Sequence, residues 1–289
     1  MMYRIAIAIF LSLTTALSPL SAAAVETTNK GLYISPIRQE TTIAAGKTKT
    51  NIVTIANLTD KPMTVNFSVK QFSVTDYAYD YTFRPAENDW VKMSTSQIQL
   101  QPNQSKNISY TVSVPPKTSP GGYYYTLFAS TDLPGSGLPG TIQATSLLYI
   151  TVEGKLVRTS VLQNASIPWL VTGNNIPYKF DVKNTGNIHF TAYFFGQLTG
   201  LFGAQPEAGT SHLLMPGTVR TISGSIPSPL LPGVYKVTYG YRVDFAQIIT
   251  TKSSYIIYLP PWSIVALLLI ALAGRWLWQQ KHKKPTKVS

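Results

Sequence analysis

From Met63 to Val69 apolar and polar residues alternate without a break, with Met63, Val65, Phe67 and Val69 against Thr64, Asn66 and Ser68. Ile108, Tyr110, Val112 and Val114 alternate with Ser109, Thr111 and Ser113 in the same way. So do Tyr235, Val237, Tyr239, Tyr241, Val243 and Phe245, with Lys236, Thr238, Arg242 and Asp244 facing the other way. A period of two built from β-branched and aromatic residues predicts antiparallel strands with one wet face. Turn chemistry falls between such runs, at Asn57-Leu58-Thr59-Asp60-Lys61-Pro62 and at Ser119-Pro120-Gly121-Gly122. Short strands at regular spacing with these turns predict a β-sandwich. No sustained helical period occurs outside the two terminal apolar segments.

The pattern is repeated. A first unit reads Asn51 to Asn57, then Leu100-Gln101-Pro102 leading into the Ile108 strand and Val114-Pro115, then Pro120-Gly121-Gly122-Tyr123. A second reads Tyr178 to Asn184, then Met215-Pro216-Gly217 leading to Ile222 and Ile226-Pro227, then Pro232-Gly233-Val234-Tyr235. Two tandem sandwiches explain this order, with the seam near Gly154-Lys155; one large sandwich is the alternative, since all-β domains do exceed 200 residues.

Two apolar segments frame the repeats. Met1 to Arg4 is a short positive start, Ile5 to Leu17 is almost wholly apolar, and Ser21 to Ala24 supplies small residues for cleavage. That order reads as a secretory signal, with the mature chain starting near Val25. At the other end, Pro260 to Gly274 is uncharged, flanked by Trp262 on one side and by Arg275, Trp276 and Trp278 on the other. It is slightly short of the ~20 residues a bilayer core asks for, a gap that Ile256 to Leu259 or a snorkelling Arg275 closes. The tryptophans fit an aromatic belt and the basic tail fits the positive-inside rule. The expected organisation is therefore a signal peptide (1–24), an immunoglobulin-like β-sandwich (25–154), a second one (155–259), a transmembrane helix (260–278) and a basic cytoplasmic tail (279–289), in a single-pass membrane protein with its ectodomain outside. The fold class is all-β with one C-terminal transmembrane helix.

Composition narrows the function. The net charge of +12 suggests nucleic acid until its distribution is read. Five cations fall from Arg275 onward with no acidic residue among them, and all 12 acidic residues lie between Glu26 and Asp244. The excess between the apolar segments is mild, so no nucleic-acid partner is expected. The absence of cysteine excludes disulfides, thiolate metal sites and a cysteine nucleophile. With three histidines and no nucleophile-elbow, Walker, zincin or EF-hand motif, neither an enzyme nor a cofactor is expected.

The run Tyr33-Ile34-Ser35-Pro36-Ile37-Arg38, then Ala45-Gly46-Lys47 and the Ile52–Pro62 strand and turn, resembles the opening of two kinds of secreted Ig-like domain. One is the DUF916-type domain of WxL-interacting bacterial surface proteins, whose plan of signal, two Ig-like domains, one span and short basic tail this chain resembles throughout. The other is the first domain of PapD-type pilus chaperones; the sequence pairs no second basic residue with Arg38. The former resemblance implies a membrane-anchored envelope protein that binds peptidoglycan through its first domain and other surfaces through its second.

The densest aromatic patch is Asp76-Tyr77-Ala78-Tyr79-Asp80-Tyr81-Thr82-Phe83-Arg84. If extended, it sets Tyr77, Tyr79, Tyr81 and Phe83 on one face and Asp76, Asp80 and Arg84 on the other. Tyrosine rings with nearby carboxylates suit sugar stacking or a protein partner, and Trp90 extends the patch; a core strand is the alternative. The expected function is recognition of cell-wall polysaccharide or peptidoglycan, or of a surface protein, without catalysis. The alternative is a tethered assembly factor acting by β-strand addition, which an exposed edge without proline or inward charge favours.

Overall fold

The computed structural model describes residues 31–132, 140–201, 203–243 and 247–282. The expected signal peptide over 1–24 and mature start at Val25, the tip of the Thr131–Thr141 loop, Asp244, Phe245, and the lysines from Lys283 onward lie outside the described residues.

Ten strands form the first pair of sheets: β1 (Leu32–Ser35), β2 (Arg38–Ile43), β3 (Thr48–Asn57), β4 (Met63–Val74), β5 (Tyr81–Pro85), β6 (Val91–Met93), β7 (Gln97–Leu100), β8 (Ser105–Ser113), β9 (Gly121–Asp132) and β10 (Thr141–Val152). One sheet runs β1-β3-β8-β6; the other runs β2-β10-β9-β4-β5, with β7 beside the start of β4. All pairs are antiparallel except β2 with β10. Val65 and Val112 of the alternating runs are fully inside, together with Val53, Leu100, Leu148 and Ile150. Each such side chain contributes roughly 1.5–3 kcal/mol by leaving water.

Nine strands form the second pair: β11 (Ser160–Ser166), β12 (Leu170–Val171), β13 (Asn175–Asn184), β14 (Phe190–Gly200), β15 (Gly203–Ala204), β16 (Ala208–Leu214), β17 (Val219–Pro227), β18 (Gly233–Val243) and β19 (Gln247–Tyr258). The sheets are β11-β13-β17 and β12-β19-β18-β14-β15, with β16 also on β14. Their core centres on Ile176, Val182, Phe194, Leu198, Ile226, Val237 and Tyr241. The all-β architecture of two tandem sandwiches is thus the observed one, drawn from 32–152 and 160–258.

The repeat has a physical basis in two buried asparagines. Asn57 ends β3, and its Nδ2 donates to the carbonyls of Lys61 (2.8 Å) and Gln101 (3.0 Å). Its Oδ1 accepts from Thr59 N (2.9 Å) and Thr59 Oγ1 (2.7 Å). Asn184 ends β13 and donates to Ile188 O (3.0 Å) and Leu214 O (2.9 Å), while accepting from Gly186 N (2.8 Å). In both sandwiches one amide ties the turn after a strand to the residues that precede the Pro-led strand. The first strand is also split in both. β1 lies in one sheet and β2 in the facing one, with the crossing at Pro36; β11 and β12 repeat this around Ile167-Pro168.

After β19, Pro260 and Pro261 end the sheet and start helix α1 (Pro261–Lys281), which runs three residues past the expected end at Trp278. Ser263 is buried, and its hydroxyl donates to Pro260 O (2.7 Å), which caps the first turn of the helix locally. Its 21 residues span about 32 Å at 1.5 Å per residue, long enough to cross a ~30 Å hydrocarbon core. It is the one helix of that length and apolarity among the described residues.

Candidate functional site

The aromatic patch is not the continuous strand its alternation predicts. Tyr77 and Tyr79 stand in the left-handed region (φ 64° and 66°), so the chain turns there, and only Tyr81 to Pro85 is extended. The turn is closed by Asp80 N donating to Thr75 Oγ1 (3.0 Å) and Thr75 N donating to Asp80 O (2.9 Å). Its tip reaches the second sandwich. Asp76 Oδ1 accepts the Val219 N–H (2.7 Å), Tyr77 N donates to Val219 O (2.7 Å), and Thr221 N donates to Tyr77 O (3.2 Å). The Tyr79 hydroxyl accepts the Met215 N–H, and the Arg220 guanidinium lies 4.1 Å from the Tyr79 ring centre. Burial pushes the Tyr79 phenol up to about 12, against the pull of the Met215 N–H and of Arg220. Asp76, Tyr77 and Tyr79 therefore form a joint between the two sandwiches.

The rest of that joint escaped the alternation for a simple reason. Along β4 the inward residues Met63 and Val65 are buried as expected, but further on Phe72 and Val74 are buried on the opposite face. There they meet Tyr149 and Met215, flanked by Tyr124 and Leu213, in a small core of their own. Tyr123 and Tyr125 point inward while Tyr124 points to this joint, so the triplet packs on both faces of its sheet. The Tyr124 hydroxyl shares a hydrogen bond with His189 Nδ1 and accepts the His189 backbone N–H, both at 3.1 Å. Burial lowers the His189 imidazole to about 4; Glu40 pulls the other way, and Arg38 and Arg158 add to the lowering. Beside it opens a cleft of about 330 Å³ holding Arg38, Glu40, Arg158 and His189, in which Arg38 pairs with Glu40 at 2.5 Å. Arg158 is thus a second basic residue near Arg38, a neighbour that the linear sequence does not reveal.

Of the remaining candidates, Tyr81 and Phe83 stack at 6.4 Å on β5 and are about half-exposed. Trp90 does not extend them: it packs on Tyr123 (4.6 Å) against the main core of the first sandwich. Trp262, Trp276 and Trp278 are exposed along α1, and Arg275 lies between them.

A different feature of the first sandwich is open to another chain. β9 pairs with β10 over its whole length, Thr141 to Val152, but β2 covers only Leu147 to Val152 on the other side. Where the chain crosses from β1 to β2, Ser146 Oγ donates to Pro36 O (2.6 Å) and closes the junction. From Thr141 to Thr145 no described strand pairs with the outer edge of β10. Leu147 N donates outward to Ile37 O (2.8 Å), so by strand alternation the N–H groups of Thr145 and Gln143 also point outward. The stretch Thr141-Ile142-Gln143-Ala144-Thr145 has no proline and no charge. Ile142 and Ala144 lie on the same face as Leu148 and Ile150 but remain partly exposed, and Leu32 of β1 is half-buried on the same core. Other edges are blunted in the ways sheets usually are: Arg84 and Pro85 on β5, Lys92 on β6, Arg38 and Glu40 on β2, and a bulge after Leu162 on β11.

No family model and no curated protein matches the chain. Solved structures do match. The class 5 fimbriae chaperone CfaA aligns at 12% identity and TM-score 0.43, covering 80% of this chain and 100% of that one. The CsuC–CsuE chaperone–tip adhesion subunit pre-assembly complex from archaic chaperone-usher Csu pili of Acinetobacter baumannii aligns at 16% identity and TM-score 0.39, covering 66% and 89%. The E. coli chaperone DraB aligns at 14% identity and TM-score 0.34, covering 78% and 96%.

Proposed function

We propose that this chain is a membrane-tethered binding protein whose first sandwich takes an extended segment of another surface protein along the free edge of β10. The observation that carries this is the unpaired, uncharged stretch Thr141–Thr145 beside a partly exposed core. An incoming strand gains main-chain hydrogen bonds from Gln143 and Thr145, and its alternate side chains reach the space between Ile142, Ala144 and Leu32. α1 supplies the anchor, with its basic end on the cytoplasmic side and the sandwiches outside. The protein acts by contact and needs no reacting group.

The test is a photo-crosslinking residue at Gln143 in the native host. A defined adduct with an envelope protein is expected, and Thr145→Pro should abolish it. That substitution removes an outward N–H and leaves the β9 ladder intact. An adduct unchanged by Thr145→Pro, or none above that of an exposed control position, refutes strand addition. A second reading is favoured by the stacked, half-exposed Tyr81 and Phe83, which present the flat apolar surface that sugar rings use. Under it, retention on purified wall material falls with Tyr81→Ala and is indifferent to Thr145→Pro.

A further inference from the structure

The end of the second sandwich from which α1 leaves carries exposed apolar residues that its core does not use. Leu201, at the tip between β14 and β15, is 98% exposed, and Leu230, in the turn between β17 and β18, is 90% exposed. Val234 and Ile257 are register partners on the outer face of β18 and β19, and Trp169 precedes β12, its carbonyl accepting the Ile257 N–H at 2.7 Å. Val234 and Trp169 are mostly exposed as well. These positions come from separate segments, yet the sheet order β12-β19-β18-β14-β15 puts all of them at one end.

The same end is tied to the helix. Ile257 precedes the first helical residue, Pro261, by four positions, about 13 Å of extended chain at the most. The polar layer of a bilayer is itself several ångströms deep. Trp262, in the first turn of α1 and half-exposed, carries the apolar series from the sandwich into the helix. A soluble domain rarely places leucines at two separate loop tips with nothing over them, whereas the interface between water and acyl chains suits leucine and tryptophan.

We infer that the second sandwich rests on the bilayer, with Leu201, Leu230 and Trp169 inserted into the lipid interface around the helix entry. The occupant of this surface is lipid, and the inference depends on α1 spanning the membrane as proposed above. The second sandwich is then seated, not free to swing on the Leu259-Pro260 connection, and the first is held away from the membrane with its β10 edge in a fixed direction.

The chain has no cysteine, so single labels are simple to place. The full chain is reconstituted in phosphatidylcholine–phosphatidylglycerol vesicles with an environment-sensitive fluorophore on one cysteine at a time. Leu230→Cys and Leu201→Cys report the rim, Lys61→Cys the turn at the distal end of the first sandwich, and Leu268→Cys the helix. The fully exposed rim side chains make no core contact, so these substitutions leave folding unaffected. Rim labels should be blue-shifted and quenched several-fold more by a nitroxide at the lipid headgroup than the Lys61 label, and Leu201→Asp should reduce quenching at position 230. Rim labels quenched no more than the Lys61 label, while the Leu268 label is quenched by a deep-chain nitroxide, overturn the seating and leave the anchor standing. A Leu268 label that deep nitroxides fail to quench removes the anchor, and the seating with it.

Discussion

Replacing Asn57 by alanine removes an amide that is completely buried and makes four good hydrogen bonds: to the carbonyls of Lys61 and Gln101, and from the N–H and hydroxyl of Thr59. A neutral hydrogen bond is worth about 1 kcal/mol net, and a buried group left without a partner costs about 1–3 kcal/mol. Thr59, Lys61 and Gln101 all lie at partly exposed positions where water can replace the lost partner, so each lost bond costs near the lower end of that range. The expected loss is about 3 kcal/mol, confined to the first sandwich. Asn57→Asp keeps the acceptor for Thr59 but points a carboxylate at two carbonyls, and should destabilise at least as much at neutral pH. Urea unfolding of the full chain in detergent, followed by the emission of Trp90 with the other four tryptophans replaced by phenylalanine, measures both. A change below about 1 kcal/mol for Asn57→Ala would mean that the turn is held by its backbone alone, and that the matching asparagines of the two sandwiches are incidental.

The other expectations concern the joint. Tyr79→Ala should destabilise the contact between the sandwiches by about 2–4 kcal/mol, since it removes a buried ring, the partner of the Met215 N–H and the seat of Arg220; limited proteolysis between Val152 and Ser160 should become faster, and an unchanged rate would show that the joint does not depend on this residue. His189 has a folded value of about 4 against an ordinary 6.5, so the unfolded chain binds the extra proton between those values. Its stabilising effect is complete above pH ~6.5 and is lost as pH falls toward 4, by roughly 3 kcal/mol; the melting temperature of His189→Gln should be flatter over that window than that of the parent. At Gly186 a Cβ would lie 2.0 Å from the Val157 carbonyl oxygen, which is backbone and cannot swing aside. Gly186→Ala should therefore cost roughly 1–3 kcal/mol, read by thermal unfolding.

The strand content, the tandem repeat and the C-terminal helix were legible because each leaves a periodic or compositional mark on a single stretch of chain. Ile108, Tyr110, Val112 and Val114 are buried as their alternation requires. The joint was not legible in that way. Phe72, Val74 and Tyr149 occupy what alternation assigns to the wet face, and only the partner sandwich, far along the chain, makes that face dry. Tyr77 and Tyr79 carry the same aromatic spacing as a strand, and spacing cannot register two left-handed residues on either side of Ala78. The free edge of β10 is invisible for another reason: it is defined by where β2 stops, a property of pairing that no local pattern in Thr141–Thr145 records.

The direction of β19 matters for mechanical load. It runs from the joint side of the second sandwich straight into the anchor, ladder-paired to β18 along nearly its whole length and to β12 at its last residues. If the first sandwich captures a partner and α1 spans a membrane, as proposed, tension between the two enters the second sandwich near Ser160 and leaves at Tyr258, at opposite ends. The rungs between β18 and β19 are then sheared together instead of being peeled one at a time, a geometry suited to holding a load.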